Sequence, residues 1–276
     1  RGARVVVNDL GVARDGSGID ESAARAVCDE IKSMGGEAVP HFGDVADWNA
    51  SKGMFETAVS AFGDVNIVVC NAGFLRDGIL FNMSEQDFDD VVRVHLKGHF
   101  CALRHATAYW RERAKAGNAV YGRIISTSSE SAFFAPPGQP NYSAAKAGII
   151  ALTMGAAQLM QKYGITANVI MPRARTRMND TGPLAAMFQK PDDGFDTFAP
   201  DKVAPRVGWR AAPRAHNVSG QVFVLWAKQV TLANAPRLDT RFESDARWTV
   251  ESLQEKLGPH FAAHEPVKDG FTLQPG

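Results

Sequence analysis

Tyr142 and Lys146 stand four residues apart in the run NYSAAKAG, Asn141 to Gly148. On a helix those positions share a face, so a phenol and an ammonium can converge on one point. A tyrosine titrates near 10 without neighbours, and a cation beside it is expected to stabilise the phenolate and lower that value. Such a pair suits general acid–base exchange with an alcohol or a carbonyl oxygen. The spacing alone recurs by chance, and a packed Tyr beside a surface Lys is the plain alternative. Context adds weight: Ser129 closes an apolar run thirteen residues before Tyr142, and Asn71-Ala72-Gly73 closes another. His95 titrates near neutrality and could relay protons, or be a hydrogen-bonded buried ring. His95, His99 and Cys101 lie close in sequence, but with no HExxH pattern and no carboxylate on that face no metal site is expected.

These residues need a scaffold that brings strand ends together. Short apolar runs at 4–9, 37–42, 65–70, 123–128, 166–171 and 221–226 read as strands. Helical patterns follow at 21–33, 48–62, 84–113 and 141–163, the third opened by a capping box of Ser84 and Asp87. Strands alternating with helices predict an α/β fold, a doubly wound parallel sheet of Rossmann type in a single domain. In such a sheet the carboxyl ends of neighbouring strands form the ligand edge, which places Ser129 and Asn71 side by side. Residues 1–235 are read as that domain and 236–276 as a polar extension with a short helix at 250–256. Residues 173–200, rich in Gly, Pro, Asp and greasy side chains, are read as a lid over an apolar substrate.

The composition fits an ordinary globular protein: 45% hydrophobic, 22% charged, with 30 basic and 30 acidic residues and zero formal charge. That balance leaves no electrostatic footprint for nucleic acid. No apolar run approaches a membrane span. Cys28, Cys70 and Cys101 are odd in number and irregularly spaced, which predicts reduced, packed thiols and a cytoplasmic protein.

Asn71-Ala72-Gly73, GRIISTSS (Gly122 to Ser129), NYSAAKAG and the pair Asp44-Val45 resemble the short-chain dehydrogenase/reductase family in order and spacing. The resemblance implies that Ser129 holds the substrate oxygen, Tyr142 exchanges its proton, and Lys146 grips the nicotinamide ribose and tunes Tyr142. It implies a cofactor lining of Asn71, Ala72 and Gly73, with Asp44 and Val45 at the adenine and Pro172 and Thr176 at the nicotinamide. Asp9 ends the run RVVVND, where a carboxylate accepts from both ribose hydroxyls and repels a 2′-phosphate, so NAD is expected rather than NADP. VNDLG, GFLRD, RVHLKGHF and TRM (Thr176 to Met178) narrow the resemblance to the (3R)-hydroxyacyl-CoA dehydrogenase domain of peroxisomal multifunctional enzymes and its bacterial relatives. The implied reaction is oxidation of a 3-hydroxyacyl-CoA or a hydroxysteroid by a homodimer or homotetramer. The alternatives are an NADPH-dependent 3-oxoacyl reductase and a non-catalytic scaffolding subunit.

Three departures bear on that expectation. His95 stands where many members place Asn. Arg173 follows Pro172 where Gly is usual, and with Arg175 it would face CoA phosphates or solvent. No TGxxxGxG loop precedes RVVVND, and Gly16-Ser17-Gly18 reads as an insertion rather than a phosphate loop. About 30 residues, one strand–loop–helix unit, are therefore expected to be absent, leaving a gap or a makeshift pairing between the strands at 4–9 and 65–70.

Overall fold

The computed structural model describes residues 2–13, 15–176, 178, 185–234 and 240–262. The chain alternates β1 (Arg4–Asn8), α1 (Ser22–Ser33), β2 (Glu37–His41), α2 (Trp48–Phe62), β3 (Ile67–Cys70), α3 (Glu85–Val92), α4 (Gly98–Lys115), β4 (Arg123–Thr127), α5 (Ser131–Phe134), α6 (Pro140–Met160) and β5 (Thr166–Arg173). It continues through α7 (Ala204–Ala211), β6 (Val222–Trp226), β7 (Gln229–Ala233) and α8 (Val250–Ala262). Local chemistry sets several boundaries. Asp47 caps α2 by accepting from the Ala50 N–H at 2.7 Å, and Gly63 ends it in the left-handed conformation, φ 84°. Ser84 accepts from the Asp87 N–H at 3.1 Å, the expected start of α3.

The strands form two sheets. β3, β4, β5 and β6 run parallel in that order, β7 joins antiparallel, and β1 pairs in parallel only with β2. Every residue of β4 and the first six of β5 are buried, as parallel strands covered on both faces must be. Ile124, Ala167, Met160 and Trp110 lie at the centre of the main core, and the Trp110 indole N–H donates to the Val65 carbonyl at 2.6 Å. The gap expected between the strands at 4–9 and 65–70 is present: no described strand lies between β1 and β3. On β3 this leaves Ile67 37% and Val69 47% exposed.

Other contacts hold the two-stranded unit in place. Arg93 pairs with Asp44 at 2.6 Å, and His105 reaches the Trp48 carbonyl at 3.1 Å. Val45 packs so closely on Gly98 that a Cβ there would come within 2.7 Å of its Cγ2. The loop after β1 crosses to the larger sheet, where Arg76 donates to the Asp15 carbonyl at 3.0 Å.

Four elements differ from the sequence reading. The helix expected at 84–113 is interrupted by a π-helical turn at Arg93–Lys97. α7 and β7 are additional, β7 extending the strand expected at 221–226 into a hairpin, and α8 extends to Ala262. Of the proposed lid, residues 177 and 179–184 lie outside the described residues, as do 236–239 and 263–276 of the proposed extension. The described part of 173–200 folds back on itself. Arg175 pairs with Asp196 and donates to the Phe188 carbonyl at 3.0 Å, and the rings of Phe188 and Phe198 lie 4.6 Å apart. The three cysteines are free and buried. No helix among the described residues is long and apolar enough to cross a membrane.

Candidate active site

Ser129, Tyr142, Lys146 and His95 converge at the carboxyl end of β4. Ser129 follows that strand by two residues, and its hydroxyl accepts from the Ser131 N–H at 3.2 Å. Tyr142 and Lys146 project from α6, with the Lys146 ammonium 5.3 Å from the centre of the phenol ring. Lys146 is buried and donates to the Thr127 carbonyl at 2.8 Å, while Ser128 donates to the Lys146 carbonyl. The helix is thus tied to the strand end on both sides of the ammonium. The His95 ring meets Tyr142 edge-on at 5.2 Å.

Burial governs the titration of these groups. It pushes the Tyr142 phenol up to about 12, against the opposing pull of the Ser129 hydroxyl and with a further push from Asp77. It brings Lys146 down to about 7. The expected lowering of the phenol by the lysine is therefore not met: burial sets the direction, and the pull against it comes from the Ser129 hydroxyl. His95 is held well below its ordinary value, first by burial and then by the Lys146 charge. A neutral ring at physiological pH fits a positioning role better than an acid's. Its Nε2 lies 2.8 Å from the Phe74 carbonyl and 3.2 Å from the Phe74 N–H, and Nδ1 is buried without a partner. Gly73 is needed here, because a Cβ would collide with the imidazole.

The expected cofactor residues divide between the two sheets. Asn71 and Ala72 are exposed at the end of β3, beside the gap, with Gly73 next to them half-buried. Pro172 lies in β5 opposite Leu225, and the Thr176 hydroxyl accepts from the Met178 N–H at 3.2 Å. Asp9 is exposed at the end of β1, its Oδ1 accepting from the Gly11 N–H at 2.7 Å. Asp44 is engaged by Arg93 and by the Ala46 N–H at 2.9 Å, and so also anchors the turn into α2. Asp9 follows β1 and Asn71 and Ala72 follow β3, so these exposed residues lie at the ends of two strands that no described strand joins. No Gly-rich turn among the described residues meets the pyrophosphate position. At Gly16-Ser17-Gly18 the Asp15 carboxylate already accepts from the Ser17 N–H and hydroxyl, and Gly16 lies against the Phe74 ring. A carboxylate in that place opposes phosphate.

Sequence reasoning missed three supports. Asn141 is fully buried: its amide donates to the Arg76 and Asp87 carbonyls, both at 3.0 Å, and its oxygen accepts from the Tyr142 N–H at 2.7 Å. Arg76 binds Asp87 and Asp90 at 3.0 and 3.2 Å. Arg173 grips Glu130, the neighbour of Ser129, through two bonds of 2.5 and 2.6 Å and lies over the Trp226 ring. With Arg175 paired to Asp196, both arginines are engaged by carboxylates and remain partly exposed, 29% for Arg173 and 23% for Arg175. No three His, Cys, Asp or Glu side chains form a metal-ligand group among the described residues. A cavity of about 560 Å³ lies between Leu80, Pro137 and Ala147, and Tyr142 is not among the residues that line it.

A family model described as short chain dehydrogenase matches residues 11–182. The chain belongs to the short-chain dehydrogenase/reductase family, and as a member it is an oxidoreductase that uses a nicotinamide cofactor. It is 42% identical to hydroxyacyl-CoA dehydrogenase ChsB1 of Mycobacterium tuberculosis, over 96% of this chain and 83% of that protein. It is 43% identical to peroxisomal multifunctional enzyme type 2 of Drosophila melanogaster, over 76% of this chain but only 32% of that longer protein. A crystal structure of a short chain dehydrogenase from Mycobacterium avium superposes with a TM-score of 0.82 at 46% identity, covering 95% of this chain and 86% of that one.

Proposed function

We propose that the protein oxidises the 3-hydroxyl of a 3-hydroxyacyl-CoA thioester, with NAD as hydride acceptor. The observation that carries the reading is the convergence of Ser129, Tyr142 and Lys146 at one strand end, in a chain 42% identical to a protein named hydroxyacyl-CoA dehydrogenase. When bound, the nicotinamide supplies the site that accepts hydride from the carbinol carbon. Ser129 orients the substrate hydroxyl and Tyr142 takes its proton. Lys146 stabilises the phenolate that must be present to accept this proton, which leaves Tyr142 as the neutral phenol, and burial of the pair keeps bulk water from competing. Asp9 supports NAD, since a carboxylate there favours free ribose hydroxyls over a 2′-phosphate.

The test is NADH formation from racemic and resolved 3-hydroxybutyryl-CoA. The expected result is turnover with NAD that is at least tenfold more efficient than with NADP, and an Asp9→Ala variant in which that ratio collapses. No turnover of either enantiomer with either nucleotide would remove the substrate assignment. An unchanged ratio in the variant would remove the assigned role of Asp9.

A further inference from the structure

A cationic patch lies at the opposite end of the larger sheet from the dinucleotide edge. The exposed ring of Phe195 sits between two ammonium groups, Lys228 at 4.7 Å and Lys202 at 5.4 Å. Arg206 donates to the carbonyl of Lys202 and, at 2.6 Å, to that of Ala227, so one guanidinium ties the Lys202 backbone to the residue that precedes Lys228. Behind it Arg210 is 1% exposed, donates to the Arg206 carbonyl at 2.6 Å, and stacks over the Phe223 ring at 3.5 Å. Its Nε has no partner. Four cations thus adjoin, and among the described residues Asp201, on Lys202 at 3.1 Å, is the carboxylate that pairs with one of them. Burial and the Arg206 charge bring Arg210 down to about 10, as uncompensated positive potential should.

The patch connects to the catalytic serine by a continuous path. Glu130, next to Ser129, is held by Arg173, which lies 4.7 Å over Trp226, and Lys228 is two residues beyond that ring. From β4 to β6 is two strand spacings, about 10 Å, within reach of a pantetheine arm. The nicotinamide dinucleotide occupies the β1–β3 side in the reading above, so an anion at the β6 side belongs to the substrate. Arg173 and Arg175 are already paired with carboxylates, which leaves this patch to meet it.

We propose that Lys202 and Lys228, braced by Arg206 around Phe195, form the subsite for the phosphates of the coenzyme A moiety. This rests on the hydroxyacyl-CoA reading and assigns the end of the substrate remote from the reacting carbon. Kinetics of the full chain with 3-hydroxybutyryl-CoA and with the N-acetylcysteamine thioester of the same acid test it, in wild type and in Lys202→Ala/Lys228→Ala. Two half-exposed charge contacts are together worth about a decade in affinity. The expected result is therefore an approximately tenfold rise in KM for the CoA ester alone, with kcat and the KM for NAD unchanged. Calorimetry with free coenzyme A should show the same tenfold weakening. Equal KM values for the CoA ester in wild type and variant would overturn the subsite while leaving the hydroxyacyl reading in place. Wild-type protein that oxidises neither thioester would overturn that reading and the subsite together. A preference for an acyl-carrier-protein thioester over the CoA ester would overturn the choice of coenzyme A.

Discussion

The five-stranded sheet and the β1–β2 pair are built by different means. β4 and β5 are buried along most of their length, and each site residue beside them is held from more than one direction. The β1–β2 pair has partly exposed strands and is joined to the larger sheet through α2, whose Phe55 enters the main core, and through half-exposed side-chain ties such as Arg93–Asp44 and Arg76–Asp15. The groups proposed to transfer the proton are therefore pre-organised by core packing, while the groups expected to hold the dinucleotide rest in part on contacts that water can replace. Mutations in the first region should strike chemistry or global stability. Mutations in the second should strike cofactor affinity.

The largest effect is expected at Tyr142. Tyr142→Phe keeps the ring against His95 and removes the proton carrier, so kcat should fall by about 10³-fold, with NAD binding unchanged. A fall of less than tenfold would move the proton chemistry to another group. Lys146 comes next, through linkage. Its folded pKa of about 7 lies below the ordinary 10.5, so between those values the unfolded chain binds the proton and the folded chain does not. Stability from this group should then rise with pH across that window, by up to about 1.4 kcal/mol per pH unit. Urea unfolding at pH 7 to 9.5 should show a steeper rise for wild type than for Lys146→Met. Parallel curves would mean that Lys146 stays charged in the fold.

Asn141→Ala should cost about 2–3 kcal/mol of unfolding free energy, because it leaves two carbonyls and the Tyr142 N–H without their partner. It should also lower kcat, since that N–H sets the start of the helix carrying the phenol. A loss confined to stability, with kcat intact, would show that Tyr142 is aligned by the strand side alone.

These supports also mark where the sequence stops being readable. The doubly covered strands were legible because burial on both faces demands continuous apolar runs such as RIIST and TANVIM. β7 was not: its residues are mostly exposed, and the turn before it uses Ala227 in the left-handed region, φ 46°, where a Gly would have announced it. α7 holds Pro205 and Gly208 within eight residues, which reads as loop. In the site, Ser129, Tyr142 and Lys146 were legible as a spaced set of chemical types. Asn141 was not, because its partners are carbonyls 54 and 65 residues away, and a backbone acceptor leaves no trace in residue identity. An Asn immediately after the Pro that opens α6 was the available signal. The upward shift of Tyr142 was hidden for a related reason, since desolvation depends on what covers the ring.

The smallest expected effect is the one that best separates the two regions. Arg93→Ala removes the Asp44 pair, whose side chains are 44% and 29% exposed, so the loss of stability should stay below about 1 kcal/mol. Arg93 nevertheless extends from the π-helical turn two residues before His95, and its partner sits at the turn joining β2 to α2. Without that tie the β1–β2 pair keeps its own ladder and loses one of its fixed points on the larger sheet. The KM for NAD should rise a few-fold while kcat and the KM for the thioester stay constant. A fall in kcat instead would mean that the salt bridge holds the π-helical turn, and through it His95 and Tyr142, so that the two regions are coupled rather than merely attached.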